Sequence, residues 1–276
     1  AAGNTGTTTH VYASAGTYSI CLSNPGAITY FYIGDSKLTI NMTANAAKLS
    51  GLTETLRLEN ATVTWVVSDA APMPQGLTGT LQFVGAGIAL TWTVGASGGT
   101  AMPQGLAGGL WISGNNIALT WVVGASGGTA MPQGLTTSLG ADGSNITLTW
   151  TVGTSGGTAM PQGLTGILRL NGAKIALTWA PEASGGRRIP RNCSTYIVQA
   201  SWTTAAVDAF IDSAYAGWAA GEFTKAAAWN LAGTNQPATG TYQSVCPPTT
   251  PKERAYQMVY DTCGLGKLKQ ASWTLN

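Results

Sequence analysis

Leu90-Thr91-Trp92-Thr93-Val94-Gly95-Ala96-Ser97-Gly98-Gly99-Thr100-Ala101-Met102-Pro103-Gln104-Gly105-Leu106 returns almost unchanged from Leu119 and from Leu148, and its opening residues return once more at Leu177. A shorter version precedes it, Val63-Thr64-Trp65-Val66-Val67 followed by Ala71-Pro72-Met73-Pro74-Gln75-Gly76-Leu77. Tryptophan therefore recurs at Trp65, Trp92, Trp121, Trp150 and Trp179, with one spacing of 27 residues and three of 29. So constant a period means that every unit follows the same path, as in stacked repeat architectures.

Within each unit two stretches alternate with period two, the pattern of a strand with one buried face. In Ile88-Ala89-Leu90-Thr91-Trp92-Thr93-Val94 the large apolar residues share one face and Ala89, Thr91 and Thr93 the other, which places the indoles inward. Leu81 and Phe83 likewise oppose Thr80 and Gln82. Glycines 85 and 87 and the Gly-rich run after Val94 supply turns. Each unit is thus read as a flattened coil with one strand per side. A single coil cannot bury its apolar residues alone, so neighbours must stack. Identical positions are expected to ladder through the core at about one strand spacing, 4.8 Å.

The pattern predicts a mainly β repeat solenoid of two-sheeted, 29-residue coils over residues 51–180. Residues 1–50 would form a short β N-terminal cap with an irregular first coil at Ile28 to Tyr32. Residues 181–276, where the repeat breaks at Pro181 and helical runs appear at Thr204 to Ala216 and Lys252 to Thr262, would form an α/β C-terminal cap. Ends need covering because a terminal coil otherwise exposes an apolar face and free strand edges.

Only 9% of the 276 residues are charged, beside 37 glycines and a net charge of +2; a typical globular domain has about 25% charged residues. Such a chain has no electrostatic footprint for nucleic acid. Its one basic cluster, Arg187, Arg188 and Arg191, is read as a solvated loop. No run approaches the roughly 18 apolar residues of a membrane-spanning helix, and no membrane insertion is expected. The start at Ala1-Ala2-Gly3 fits a mature secreted end. None of the cysteines shows Cys-x-x-Cys spacing, which argues against zinc and dithiol redox chemistry. Cys246 and Cys263 bracket the second predicted helix, where a disulfide would staple a terminal cap. Cys21 reaches Cys193 only if the chain doubles back along the solenoid, so other pairings and free thiols stay open. Asn41, Asn60, Asn145 and Asn192 head Asn-x-Ser/Thr sequons that permit glycosylation in a suitable host.

Several stretches resemble leucine-rich repeats. Leu77-x-x-x-Leu81-x-Phe83-x-x-Ala86-x-Ile88, Leu164-x-x-x-Leu168-x-Leu170-x-x-Ala173-x-Ile175 and Leu110-x-Ile112-x-x-Asn115-x-Ile117 look like the Leu-x-x-Leu-x-Leu-x-x-Asn-x-Leu strand segment. A small residue mostly replaces the family's asparagine, and an extra tryptophan strand is present, which favours a straighter stack. His10-x-Tyr12-x-x-x-Gly16-x-Tyr18 resembles a strand pair preceding repeats in secreted surface proteins. Leu231-Ala232-Gly233-Thr234-Asn235, Cys246-Pro247-Pro248-Thr249-Thr250 and Trp273-Thr274-Leu275 resemble the end cap of repeat proteins from phage tail regions and environmental bacteria. The resemblance implies surface display and binding, and no enzyme.

Comparison among the coils locates the informative residues. The turn Gly-Gly-Thr-Ala-Met-Pro-Gln-Gly is fixed in three coils, whereas outward positions of the first strand change to Arg57, Gln82, Trp111, Gly140 and Arg169. A constant scaffold with one variable face is how repeat proteins build a binding surface, so Arg57, Gln82, Trp111 and Arg169 form the candidate binding face. Trp111, expected to be exposed, is of the type found at contact hot spots. The expected function is non-enzymatic binding or adhesion outside the cell, to a cell-surface glycan or protein, with no cofactor or metal. A structural subunit assembling with copies of itself, in a filament or phage tail fibre, is the alternative. A solenoid glycoside hydrolase is less favoured, because no acidic ladder accompanies Asp142 and His10 is the sole histidine. So is ice binding, suggested by the outward threonine rows Thr91/Thr93, Thr120/Val122 and Thr149/Thr151.

Overall fold

Period-two alternation becomes strand at each place just described. The computed structural model describes residues 28–34, 39–43, 49–95, 100–123, 130–151, 160–178 and 188–276. His10, Tyr12, Tyr18, Cys21, Trp179 and Arg187 lie outside the described residues. The chain is a mainly β solenoid. Its strands are β1 (Tyr30–Gly34), β2 (Thr39–Asn41), β3 (Thr55–Glu59), β4 (Thr62–Val67), β5 (Leu81–Val84), β6 (Ile88–Val94), β7 (Leu110–Val123), β8 (Leu139–Thr151) and β9 (Ile167–Thr178). After them come β10 (Ser194–Tyr196), α1 (Thr204–Ala219), β11 (Ala228–Asn230), α2 (Pro251–Tyr260) and β12 (Ser272–Thr274).

All pairing between named strands is parallel, in the order β1-β3-β5-β7-β8-β9-β10-β11-β12, with β2, β4 and β6 forming a second wall that joins at β7. In the first two complete coils the walls are separate strands, because Asn60 and Gly85 turn the chain with positive φ. From the third coil onward the chain bends without leaving the ladder. β7 runs 14 residues around the corner, its pairing with β8 slipping between Gly114 and Ala118. Glycine is needed at that corner, since a Cβ on Gly114 would lie 2.8 Å from the Gly85 carbonyl oxygen of the coil below.

The predicted interior is correct. Trp65, Trp92, Trp121 and Trp150 are fully buried among Leu56, Leu81, Leu110, Leu139 and Leu168 of the first wall. Met73, Met102, Met131 and Met160, each followed by a buried leucine at the end of the fixed turn, belong to the same core. Two indoles have their N–H satisfied inside: Trp65 Nε1 donates to Ala71 O and Trp92 Nε1 to Thr100 O. Removing one such side chain costs about 3–5 kcal/mol.

Laddering of like on like holds on one wall and fails on the other. In the first wall Leu81, Leu110, Leu139 and Leu168 are in register. In the second, Trp65 pairs with Leu90, Trp92 with Leu119, Trp121 with Leu148 and Trp150 with Leu177. Each tryptophan thus lies beside the leucine two positions before the next tryptophan, a slip of about 7 Å along the strand at roughly 3.3 Å per residue. A bulky indole is thereby accommodated against a smaller neighbour. The same slip redraws the expected threonine rows: Thr91 neighbours Ala118 and Val66 neighbours Thr91, so equivalent threonines step diagonally, while Thr93, Thr120 and Thr147 stand in register on adjacent strands.

The glutamine of the fixed turn bonds to two backbone carbonyls. Gln75 Nε2 donates to Met73 O of its own coil and to Ala101 O of the next; Gln104 repeats this with Met102 and Ala130, and Gln162 with Met160 and Arg188. In these three turns one side chain therefore ties successive coils.

Beyond β9 the first wall continues through β10, β11 and β12, while helices replace the second. Helix α1 is capped by Thr203, whose hydroxyl accepts from Ala206 N, and buries Val207, Phe210, Ile211, Ala214 and Trp218. The two predicted helices are present, as Thr204–Ala219 and Pro251–Tyr260. Asn235, buried, accepts from Trp202 N and donates to Ile197 O and Leu231 O, satisfying three backbone groups at once. Cys246 and Cys263 form a disulfide. No helix among the described residues is long and apolar enough to cross a membrane.

Candidate functional site

Register converts the coil-by-coil differences into a surface. Tyr32, Arg57, Gln82, Trp111, Gly140, Arg169 and Tyr196 occupy consecutive strands as one outward row. The four candidate residues therefore share a line, with Arg57, Gln82 and Trp111 adjacent and Arg169 set apart by one glycine.

Trp111 is half-buried, not exposed as expected. The cause is its neighbour: a Cβ built on Gly140 would fall 2.4 Å from the indole, so the ring lies over the bare backbone of the next strand and buries that glycine. The indole thus lies flat over the neighbouring strand.

Charge on the row is internally neutralised. Arg57 Nη2 donates to Glu59 Oε1 at 2.8 Å, Gln82 Nε2 donates to the same oxygen at 2.6 Å, and the guanidinium stands 5.1 Å above the Tyr32 ring. The hydrogen bond to Glu59 raises the Arg57 pKa further above its ordinary value. Arg57 Nε, shielded from water, has no acceptor among the described residues. Such an orphan costs about 1–3 kcal/mol. Farther along, Arg169 pairs with Asp142 at 2.9 Å.

Beside the row runs a trough of about 400 Å³, lined by Tyr30, Thr55, Thr80, Gly109 and Ser138 on its floor and by Arg57, Gln82 and Trp111 on its wall. Tyr30 and Tyr32 are exposed. They share the parity of Thr55 and Arg57, and that parity, extended one strand back, was the signal that would have found them. Gly109 carried no such signal, since glycine is common throughout the repeat. A second concavity of about 490 Å³ lies beside β12, lined by residues 240–242, Lys252 and residues 273–276. Burial pushes the Tyr242 phenol there up to about 12.

The remaining sequence-derived sites fall as follows. Asn41, Asn60 and Asn145 are exposed, whereas Asn192 is half-buried and its Oδ1 accepts from Thr224 N. Cys193 is buried and forms no disulfide among the described residues; burial pushes its thiol up to about 12, which leaves it unreactive at neutral pH. Arg191 departs from the solvated-loop reading. Its buried guanidinium donates to Glu222 Oε2 and to Ser213 O, filling the space left by Gly217 in α1. Desolvation lowers its pKa and Glu222 counteracts this. Arg188 Nε donates to Gln162 Oε1 and joins the series of turn glutamines.

Comparison with family models, with curated proteins and with solved structures finds no match to this chain.

Proposed function

We propose that the protein is a non-enzymatic binding or adhesion protein acting outside the cell, with its ligand held against the first-wall face at Arg57, Gln82 and Trp111. The observation that carries this reading is the Trp111 indole laid flat over Gly140 at the edge of the trough. A large aromatic group at a solvent-facing concavity contributes contact area at little entropic cost, which is why such groups dominate binding energies. The carboxylates in the neighbouring outward row, Glu59 and Asp142, are each held by an arginine, which supports binding over acid–base hydrolysis. The disulfide fits an oxidising, extracellular setting.

Binding of the labelled full chain to a panel of cell surfaces and extracellular matrices tests this. Trp111→Ala combined with Arg57→Ala should abolish binding while leaving the unfolding transition in place; undiminished binding by a folded double variant would remove the face from consideration. Self-assembly is the second reading, supported by Val66 and Val122, exposed on the opposite wall. Electron microscopy of the purified chain separates the two, since ordered filaments favour assembly and a persistent monomer favours binding.

A further inference from the structure

We infer that the ligand class is an uncharged glycan chain, lying across the strands and along the solenoid axis in the trough beside Trp111. This rests on the binding-face reading above and adds the chemistry and direction of what binds.

Direction follows from the shape of the trough. Its floor crosses successive coils: Tyr30 pairs with Thr55, and backbone bonds from Leu56 N to Thr80 O, Leu81 N to Gly109 O and Leu110 N to Ser138 O carry the line onward. From Thr55 to Ser138 it spans three strand spacings, about 14 Å. A ligand that fits must be extended and perpendicular to the strands.

Chemistry follows from the lining. Thr55 Oγ1 accepts from Thr80 N, and Ser138 Oγ accepts from Ile167 N, both at 3.3 Å. Each hydroxyl oxygen is thus engaged by the next coil, and its own proton has no protein acceptor among the described residues. The floor therefore presents hydroxyl donors at Thr55 and Ser138. Arg57 is matched by Glu59, so the lining as a whole offers no unbalanced charge to attract a phosphate, sulfate or carboxylate. Donor hydroxyls, a planar amide and one flat aromatic ring suit a ligand with many hydroxyl groups and apolar ring faces.

Gly109 is the independent observation. At Gly79, Gly108 and Gly166, elsewhere in the same turn, a Cβ would fall 2.3–2.6 Å from a backbone oxygen of the preceding coil or a neighbouring hydroxyl. A Cβ on Gly109 would meet nothing closer than 3.5 Å, and its φ lies outside the left-handed region. Equivalent positions in the flanking coils hold Thr80 and Ser138. The fold does not require glycine here, and its absent side chain keeps the trough open next to Trp111.

Gly109→Thr therefore fills the trough with the residue the preceding coil already carries. Binding of the full chain would be measured by calorimetry and on immobilised neutral glucans, mannans and xylans, with heparin and polysialic acid as charged counterparts. Neutral chains should bind, and Gly109→Thr and Trp111→Ala should each weaken binding at least about tenfold, with unfolding of Gly109→Thr unchanged. Thr55→Val, which deletes one donor, gives a second reading should threonine at 109 disturb the coil. Binding of charged glycans alone, or neutral binding indifferent to all three substitutions, would overturn the inference. If no glycan binds but Trp111-dependent attachment to cell surfaces persists, the ligand class is wrong and the face stands. If neither is seen, both fall.

Discussion

Gln104→Ala asks whether the glutamine of the fixed turn ties one coil to the next. The side chain donates to Met102 O and to Ala130 O, both at 3.0 Å. Each bond contributes about 0.5–1.5 kcal/mol net. Because Gln104 stands at the solvent edge, water takes over the freed carbonyls, and the pair should be worth about 1–2 kcal/mol. For a chain of this size that lowers the melting temperature by about 2–4 °C per kcal/mol. Repeat arrays can lose cooperativity, so amide exchange across the 104–130 contact is the more direct assay, and it should quicken on both sides. Gln104→Glu is the sharper control, because it turns a carboxylate toward two carbonyl oxygens. That carboxyl would have a folded pKa above its unfolded value of about 4.3. Its penalty is therefore complete above the raised folded pKa, fades as pH falls through that pKa, and is gone below about 4.3. Exchange unchanged in Gln104→Ala, with glutamate no worse than alanine at pH 7, would refute the tie.

Gly114→Ala pushes a methyl to 2.8 Å from Gly85 O and should cost about 1–3 kcal/mol in denaturant unfolding, whereas Gly105→Ala, with nothing nearer than 3.4 Å, should be close to neutral. The Glu253 carboxylate accepts from the backbone N–H groups of Thr249 and Thr250, first among the causes that hold its pKa at about 2 against an ordinary 4.5. Its depressed pKa means the cap of α2 is fully supported above pH 4.5 and loses that support as pH falls toward 2; Glu253→Gln should flatten this acid limb in amide exchange of residues 249–260. Cys246→Ser with Cys263→Ser releases a 17-residue separation and should cost about 3 kcal/mol, read as earlier protease cleavage within 246–263 than in the coils.

The strands of the repeats, the inward tryptophans, the two helices and the Cys246–Cys263 pair were legible because each leaves a local mark: a period, a parity, a bracketing pair. The two-residue slip of the tryptophan wall was not. Repetition says which residues are equivalent, but pairing depends on how a strand inclines to the stacking direction, and no single coil records that. The three-residue strands β10, β11 and β12 are too short to show alternation, so the first wall's continuation past Pro181 was hidden. Arg191 looked solvated beside two other arginines; its burial depends on Gly217 and Glu222, more than 25 positions away. At the candidate site, the outward row and the Gly140 neighbour of Trp111 could be read from parity and period, but the way the indole lies down over that glycine could not, because it depends on the side-chain rotamer.

The slip of one wall against the other gives the two faces different symmetry. On the first wall equivalent residues line up as straight columns, so a linear polymer laid along the axis meets the same coil position again and again, and substitutions there can be matched to successive units of one chain. On the tryptophan wall the same repetition draws slanted stripes that run off the edge within a few coils. Lengthening the array by duplication would extend a columnar site indefinitely but only add parallel copies of a short diagonal one. That geometry alone favours the column face as the place where an added coil would also add reach.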